Sequence, residues 1–215
     1  MVSDKIRNKS VILVGNSVEL LEYEYGDYIE SFDIIVRFGR GIPRPDIYKS
    51  VGKRTDIWIT GFLRANFHPH FPTALKLLNR CRIHLDKKPT REIVFDHEVM
   101  YSDDELMLIF EEFGCKNGDA NALRPSAGYM GVHYFVNKMN MWKNLNLIGF
   151  DFFQKKLPWK LGQDYPSSWH LPENTIQRSP HAKDKERQIV SEWNEKGILN
   201  WKILSDLKEE LIDFS

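Results

Sequence analysis

"VILVGNSVELLEYEYGDYIESFDIIVRFGR", Val11 to Arg40, decides the fold. Val11 to Val14 is a short run of branched apolar residues, the pattern of a strand buried on both faces. It breaks at Gly15-Asn16-Ser17, and Val18-Glu19-Leu20-Leu21 then opens like a helix. A second apolar run, Ile34 to Arg37, follows about twenty residues later. Strand, break, helix and strand at that spacing describe a crossover between parallel strands. The break has two readings on its own. Gly15 makes a strand-to-helix turn that Ser17 caps, or small residues let backbone approach a ligand beside the open amides of a helix start. The stretch lacks the three-glycine dinucleotide fingerprint and the Lys-Ser/Thr ending of a P-loop.

Outward from this unit the same alternation continues. Ile57 to Thr60, Arg82 to Leu85, Ile93 to Phe95, Leu145 to Gly149 and Trp201 to Leu204 are further strand candidates. Ala74 to Asn79, Asp104 to Phe113, Ser126 to Lys138 and Asp184 to Lys196 read as helices. The fold class expected is α/β: one Rossmann-like domain over residues 1–215, with a mostly parallel twisted sheet flanked by helices. Residues 154–180, rich in proline and carrying Trp159 and Trp169, read as an irregular lid loop.

Composition narrows the function. Thirty basic and thirty acidic side chains cancel, so no global field favours nucleic acid. Cys81 and Cys115 support neither a disulfide framework nor a zinc site, and no metal ligands are assigned; His68 and His70 read as loop surface. No run approaches the ~18 apolar residues of a membrane span, and the start lacks a signal-peptide core. A cytoplasmic protein is expected, with peripheral contact to a membrane left open.

Two more stretches carry candidate chemistry. In "RPSAGYMGVHYFVNKMNMWKNLNLIGFDFF", Arg124 to Phe153, Ser126, Ala127 and Gly128 stand at the mouth of a helix whose first amides suit an anion. Gly149, Phe150 and Asp151 follow a strand, at the end where open α/β sheets bind ligands. In "SPHAKDKERQIVSEW", His181 precedes a helix, where an imidazole either caps the helix or lies at the surface, or stays neutral and able to act as a base.

The order of these stretches resembles the large, small and very-small motifs of the sialyltransferases, glycosyltransferase family 29 with similarity to bacterial family 42. The large motif is matched by Gly15-Asn16-Ser17, by Ile29 to Asp33 with Arg37, and by Val51 to Thr55; the small motif by Pro125 to Gly128 and Gly149-Phe150; the very-small motif by His181 with Glu186. Two departures stand out: Gly39 where the family usually has Asn, and Ala127 in place of a hydroxyl residue.

The resemblance implies a GT-A-variant sialyltransferase-like fold and an inverting, metal-independent transfer of a sialic acid, or a related keto-acid sugar, from a CMP-activated donor to a glycan or glycolipid hydroxyl. No cofactor beyond the CMP-sugar is implied. By carry-over, Gly15, Asn16, Ser17 and Arg37 belong to donor binding. Ser126, Ala127 and Gly128 would lie along the phosphate or sugar carboxylate, and Gly149, Phe150 and Asp151 would border the cytidine. His181 would be the base, and His170, with Tyr165 as substitute, would assist the departing phosphate. A CMP-Kdo-type transferase, or a CMP-sugar hydrolase or binding module without transfer, remain alternatives.

Overall fold

A computed structural model describes residues 2–39, 41–60, 75–78, 97–114, 125–152 and 182–213. In chain order the elements are α1 (Val2–Ile6), β1 (Ser10–Val14), α2 (Gly26–Glu30), β2 (Ile34–Phe38), α3 (Tyr48–Val51), β3 (Ile57–Thr60), β4 (Leu75–Leu78), β5 (His97–Val99), α4 (Asp103–Glu112), α5 (Ala127–Asn137), β6 (Asn144–Ile148), α6 (Lys183–Glu195), β7 (Asn200–Trp201) and α7 (Leu204–Asp213). Short 3-10 turns occupy Val18–Glu22 and Pro45–Ile47.

Among the described residues the strands form a seven-stranded sheet in the order β5-β4-β3-β2-β1-β6-β7, and every pairing there is parallel. From β1 the chain builds outward to β5, then returns to the other flank of β1 with β6. The order therefore reverses between β1 and β6, where Leu13 pairs with Leu147 and Val14 with Ile148. A crevice opens beyond the carboxyl ends of strands at such a reversal, because the loops leaving them diverge to opposite faces.

Successive strand residues point to opposite faces, and both faces here are covered. Val11, Leu13, Val36, Phe38 and Leu147 share one core with α1, α4, α5 and α6. Ile12, Val14, Ile35 and Ile148 face Leu20, Ile29, Val51 and Leu207 in the other. This two-sided burial accounts for the unbroken apolar run at Val11 to Val14.

The α/β class expected from the sequence is the one observed, with several local corrections. Ala74 to Asn79, read as a helix, contains β4, paired to β3 on one side and β5 on the other. Six residues are too few for periodicity to separate a helical turn from a buried strand, and sheet pairing decides. Trp201 to Leu204 is shorter as a strand, because Leu204 opens α7. The helix expected at Val18 is a single 3-10 turn, capped by the Ser17 hydroxyl accepting from the Glu19 amide at 3.3 Å. The strand candidates Arg82 to Leu85 and Ile93 to Phe95 and the lid loop at residues 154–180 lie outside the described residues.

Gly131 marks the tightest helix-to-sheet approach of α5. A Cβ there would run into the Phe38 ring and stand 3.1 Å from Ile59 Cδ1. Gly131→Ala adds about 1 kcal/mol of helix propensity but meets an overpacking cost of ~1–3 kcal/mol. Urea unfolding is expected to show a net loss of about 1 kcal/mol, whereas a gain in stability would mean that α5 is free to shift from the sheet.

Candidate active site

The Gly-Asn-Ser break holds the neighbouring strand. The Gly15 amide donates to the Ile148 carbonyl at 2.8 Å, and the Ser17 amide donates to the Gly149 carbonyl at 3.0 Å. Those two donors are therefore committed to β6 and its exit loop. Gly15 is required by proximity, since a Cβ would run into the Gly149 backbone. Gly149 is required by conformation as well, with φ of 69° and Leu20 against the position of a Cβ. The two exit loops thus touch backbone to backbone at the point where strand order reverses.

Asn16 reaches the other way. Its amide nitrogen donates to the Phe38 carbonyl at 3.2 Å, which ties the β1 exit to the end of β2. Its Oδ1 is buried without a hydrogen-bond partner among the described residues. A buried acceptor left unmatched costs about 1–3 kcal/mol, an incentive for a ligand donor to pair with it. Phe150 closes the group: its ring meets Phe38 edge-to-face at 5.6 Å, and Gly128 packs so closely that a Cβ would lie 3.3 Å from the ring. In this way Gly15, Asn16, Ser17, Gly149, Phe150 and the first turn of α5 are gathered at one end of the sheet.

Ser126 caps α5, its hydroxyl accepting from the Tyr129 amide at 3.1 Å. The same residue donates twice to Glu186 of α6, from its backbone amide at 2.6 Å and from its hydroxyl at 2.8 Å. Ser126 is 4 % exposed and Glu186 0 %. The side chain of Ser126, expected along a ligand, is engaged with Glu186 and Tyr129 inside the protein. Ala127 and Gly128 are half-exposed and remain the open part of that helix start.

Glu186 is the residue that sequence reasoning left without a role. Burial pushes its carboxyl up to about 7, opposed by the two Ser126 hydrogen bonds, which favour the charged form. Its effect is to fix the amino-terminal turn of α6 against that of α5. Ala182, at the N-cap of α6, is buried, and its carbonyl accepts from the Glu186 amide at 2.9 Å. His181 and His170 lie outside the described residues, as do Cys81 and Cys115. His133 is packed against Tyr101, whose hydroxyl lies 2.8 Å from its Nδ1, and burial lowers its pKa to about 4.

Arg37 is held by backbone carbonyls of the segment from the end of α3 to β3. It is 1 % exposed and shares the strand face of Ile35, with Nη2 donating to the Val51 carbonyl at 2.6 Å and Nε to the Arg54 carbonyl at 3.0 Å. Burial lowers its pKa to about 10, so it stays charged. Glu30 accepts from the amides of Lys53 and Arg54 at 2.5 and 2.7 Å, and Asp56 accepts from the Ile35 amide at 2.9 Å. The second half of the large-motif likeness, where Arg37 was expected to meet the donor, thus clasps the turn between α3 and β3 through backbone groups, with Arg37 Nη1 left buried without a partner among the described residues.

Next to the glycine turns is a cavity of about 300 Å³, lined in part by Ser17, Gly149, Phe150 and Asp151. Among the described residues no cluster of His, Cys, Asp and Glu could hold a metal ion, and no helix is long and apolar enough to cross a membrane.

No family model matches the sequence, and no curated protein matches it. The fold is nevertheless shared with solved sialyltransferases. A mammalian sialyltransferase in complex with Gal-beta-1-3GalNAc-ortho-nitrophenol superimposes with a TM-score of 0.56 at 16 % identity, covering 92 % of this chain and 69 % of that one. The sialyltransferase CstII in complex with CMP gives 0.56 at 15 % identity, covering 90 % and 80 %. The Campylobacter jejuni CstII complex with the substrate analogue CMP-3FNeuAc gives 0.52 at 17 % identity, covering 90 % and 78 %. At these identities the likeness establishes a sialyltransferase-like fold.

Replacing Glu186 tests the link between α5 and α6. Glu186→Ala orphans two buried donors of Ser126 and is expected to cost about 2–4 kcal/mol in urea unfolding, with Glu186→Gln losing much less. Because the folded carboxyl titrates higher than the unfolded one, the folded state holds the extra proton between the ordinary carboxyl range and about 7. Stability therefore falls as pH rises through that window. The wild type should lose stability relative to Glu186→Gln between about pH 5 and about pH 8; parallel curves would place the carboxylate in water.

Proposed function

We propose that this chain is an inverting, metal-independent glycosyltransferase that moves a sialic acid, or a related keto-acid sugar, from its CMP-activated donor to a hydroxyl of a glycan or glycolipid. One observation carries the reading. In a sialyltransferase-like fold, the ends of β1 and β6 and the first turn of α5 converge where the strand order reverses, and they do so through the residues of the large and small motifs.

In this reading Asn16 offers its unmatched Oδ1 to a hydroxyl of the donor. Gly149, Phe150 and Asp151 border the nucleoside. The half-exposed start of α5 at Ala127 and Gly128 faces the phosphate or the sugar carboxylate, where the positive end of the helix favours an anion by about 0.3–1 kcal/mol. As the bond from the anomeric carbon to the phosphate oxygen breaks, negative charge gathers on the leaving CMP while the sugar becomes oxocarbenium-like. Fixed donors stabilise that change better than water, which must reorient. The acceptor oxygen bonds to the anomeric carbon from the opposite face, and its proton passes to His181. His170 supports the departing phosphate. No cofactor is required beyond the donor itself, and we assign the reaction to the cytoplasmic side, with contact to a membrane surface through its acceptor.

Residue 182 adjoins His181 in the chain, and the Glu186 link to Ser126 holds that end of α6 beside the start of α5. His181→Ala is expected to abolish transfer from CMP-sialic acid, assayed by product analysis with a galactoside acceptor, while calorimetry shows CMP binding within about twofold of wild type. Unchanged turnover would remove His181 from the mechanism, and release of free sugar without transfer would favour the hydrolase alternative. Gly39 has a φ of 52°, and a Cβ added there would meet nothing within 4 Å, so Gly39→Asn should fold, asparagine being the side chain that best tolerates this region. With a CMP-sialic acid donor, Gly39→Asn is expected to lower KM.

A further inference from the structure

The amino-terminal end of α5 has an acid of the protein's own against it. Glu186, with no exposed surface, takes the amide and the hydroxyl of Ser126 at 2.6 and 2.8 Å, and Ser126 is the cap of that helix. Ala127 and Gly128, the half-exposed residues set against the phosphate or sugar carboxylate in the donor reading, follow Ser126 directly. Resting on that reading, we propose that the anionic end of the nucleotide and the Glu186 carboxylate compete for the start of α5, so that nucleotide binding draws one proton from solvent onto Glu186.

The competition follows from position. A helix amino terminus carries only about half an elementary positive charge, less than two full anions require. Successive Cα atoms are ~3.8 Å apart, so an anion on the first turn of α5 stands within about one Debye length, ~8 Å, of the carboxyl. Water screens little of this, because Ser126 is 4 % exposed and Glu186 0 %. The link between the helices survives loss of the charge. A protonated carboxyl still accepts from the Ser126 amide, and its own hydroxyl can donate to Ser126 Oγ, which has a second lone pair beside the one facing the Tyr129 amide.

The neighbouring charges leave Glu186 free to change state. From α5 the Tyr129 phenol faces it, and burial raises that pKa, so the phenol stays neutral. On α6 itself Lys183, Asp184, Lys185 and Arg187 flank it in sequence. Lys185 turns to α4, donating to the Glu112 carbonyl and lying over the Phe113 ring at 4.9 Å, and Arg187 lines the cavity beside Gly149. Among the described residues the hydrogen-bond donors to the carboxyl are the two of Ser126. Burial brings its pKa up to about 7, so near neutrality both forms are present and a nearby anion shifts the balance.

The sign is fixed by linkage: the anion prefers the protonated protein, so affinity is highest below about pH 7 and falls as pH rises through that value. Titration calorimetry on the full chain with CMP, from pH 6.5 to 9, reads it. The ratio of Kd for wild type to Kd for Glu186→Gln, which holds the neutral state, is expected to rise about tenfold across that range, equivalent to a pKa raised by roughly one unit in the complex. The phosphate of CMP, with a pKa of ~6, and His181 are common to both proteins and cancel in the ratio. Near pH 7.5, wild type should also take up protons on binding, seen as a heat that differs between Tris and HEPES, and Glu186→Gln should take up fewer. Circular dichroism melts check that the variant folds. If it does not, carbon-13 glutamate labelling of wild type carries the test: the one carboxyl resonance titrating near pH 7 should move to higher pKa on addition of CMP. Parallel pH curves for the two proteins, or a carboxyl whose pKa CMP leaves in place, would overturn the competition, whereas CMP binding to neither protein would overturn the donor reading itself.

Discussion

The geometry of the cleft depends on a carboxylate withdrawn from water. Glu186 has no exposed surface and is held by both donors of Ser126. An isolated charge in that position would be too costly to keep, so the two hydrogen bonds and the packing around them stand or fall together. Because Ser126 is also the cap of α5, one contact sets the amino-terminal ends of two helices relative to each other and to the exit of β6. The small and very-small motif likenesses, separate in sequence, are in this sense one structural unit.

A second constraint acts at the sheet. Gly15 and Gly149 bring the exit loops of β1 and β6 together at backbone distance, and the Gly15 and Ser17 amides are spent on that contact. Asn16 Oδ1, buried without a partner among the described residues, and the half-exposed start of α5 are then groups that a ligand can meet. Motif residues with larger charges are used elsewhere. Arg37, Glu30 and Asp56 hold a turn through backbone groups, so the large-motif likeness combines a fragment near the ligand with a fragment that fixes the scaffold.

The parallel sheet was legible because strands buried on both faces read as continuous apolar runs, as at Val11 to Val14 and Leu145 to Ile148. Segments of intermediate character were not. Leu75 to Leu78 carries a lysine between leucines and becomes a strand only through its partners in β3 and β5. The short helices α1 and α2 are five residues each, below the length at which helical period is measurable. At the site, the glycines, Asn16 and Phe150 were legible as a break and a strand end. The backbone contacts of Arg37 were not, because sequence does not tell which carbonyls a buried charge will meet. Glu186 left a signal that could have been used: it shares the face of Ile189, Val190 and Trp193, and an acid within an apolar stripe demands a buried partner.

The shortness of β7 has a bearing on solubility. A parallel sheet normally ends in an open ladder onto which another chain can add, but this margin is two residues long, and Lys202 follows directly, its amide already donating to Leu147. So little free ladder, with a charge beside it, gives a growing aggregate no template on that side of the molecule.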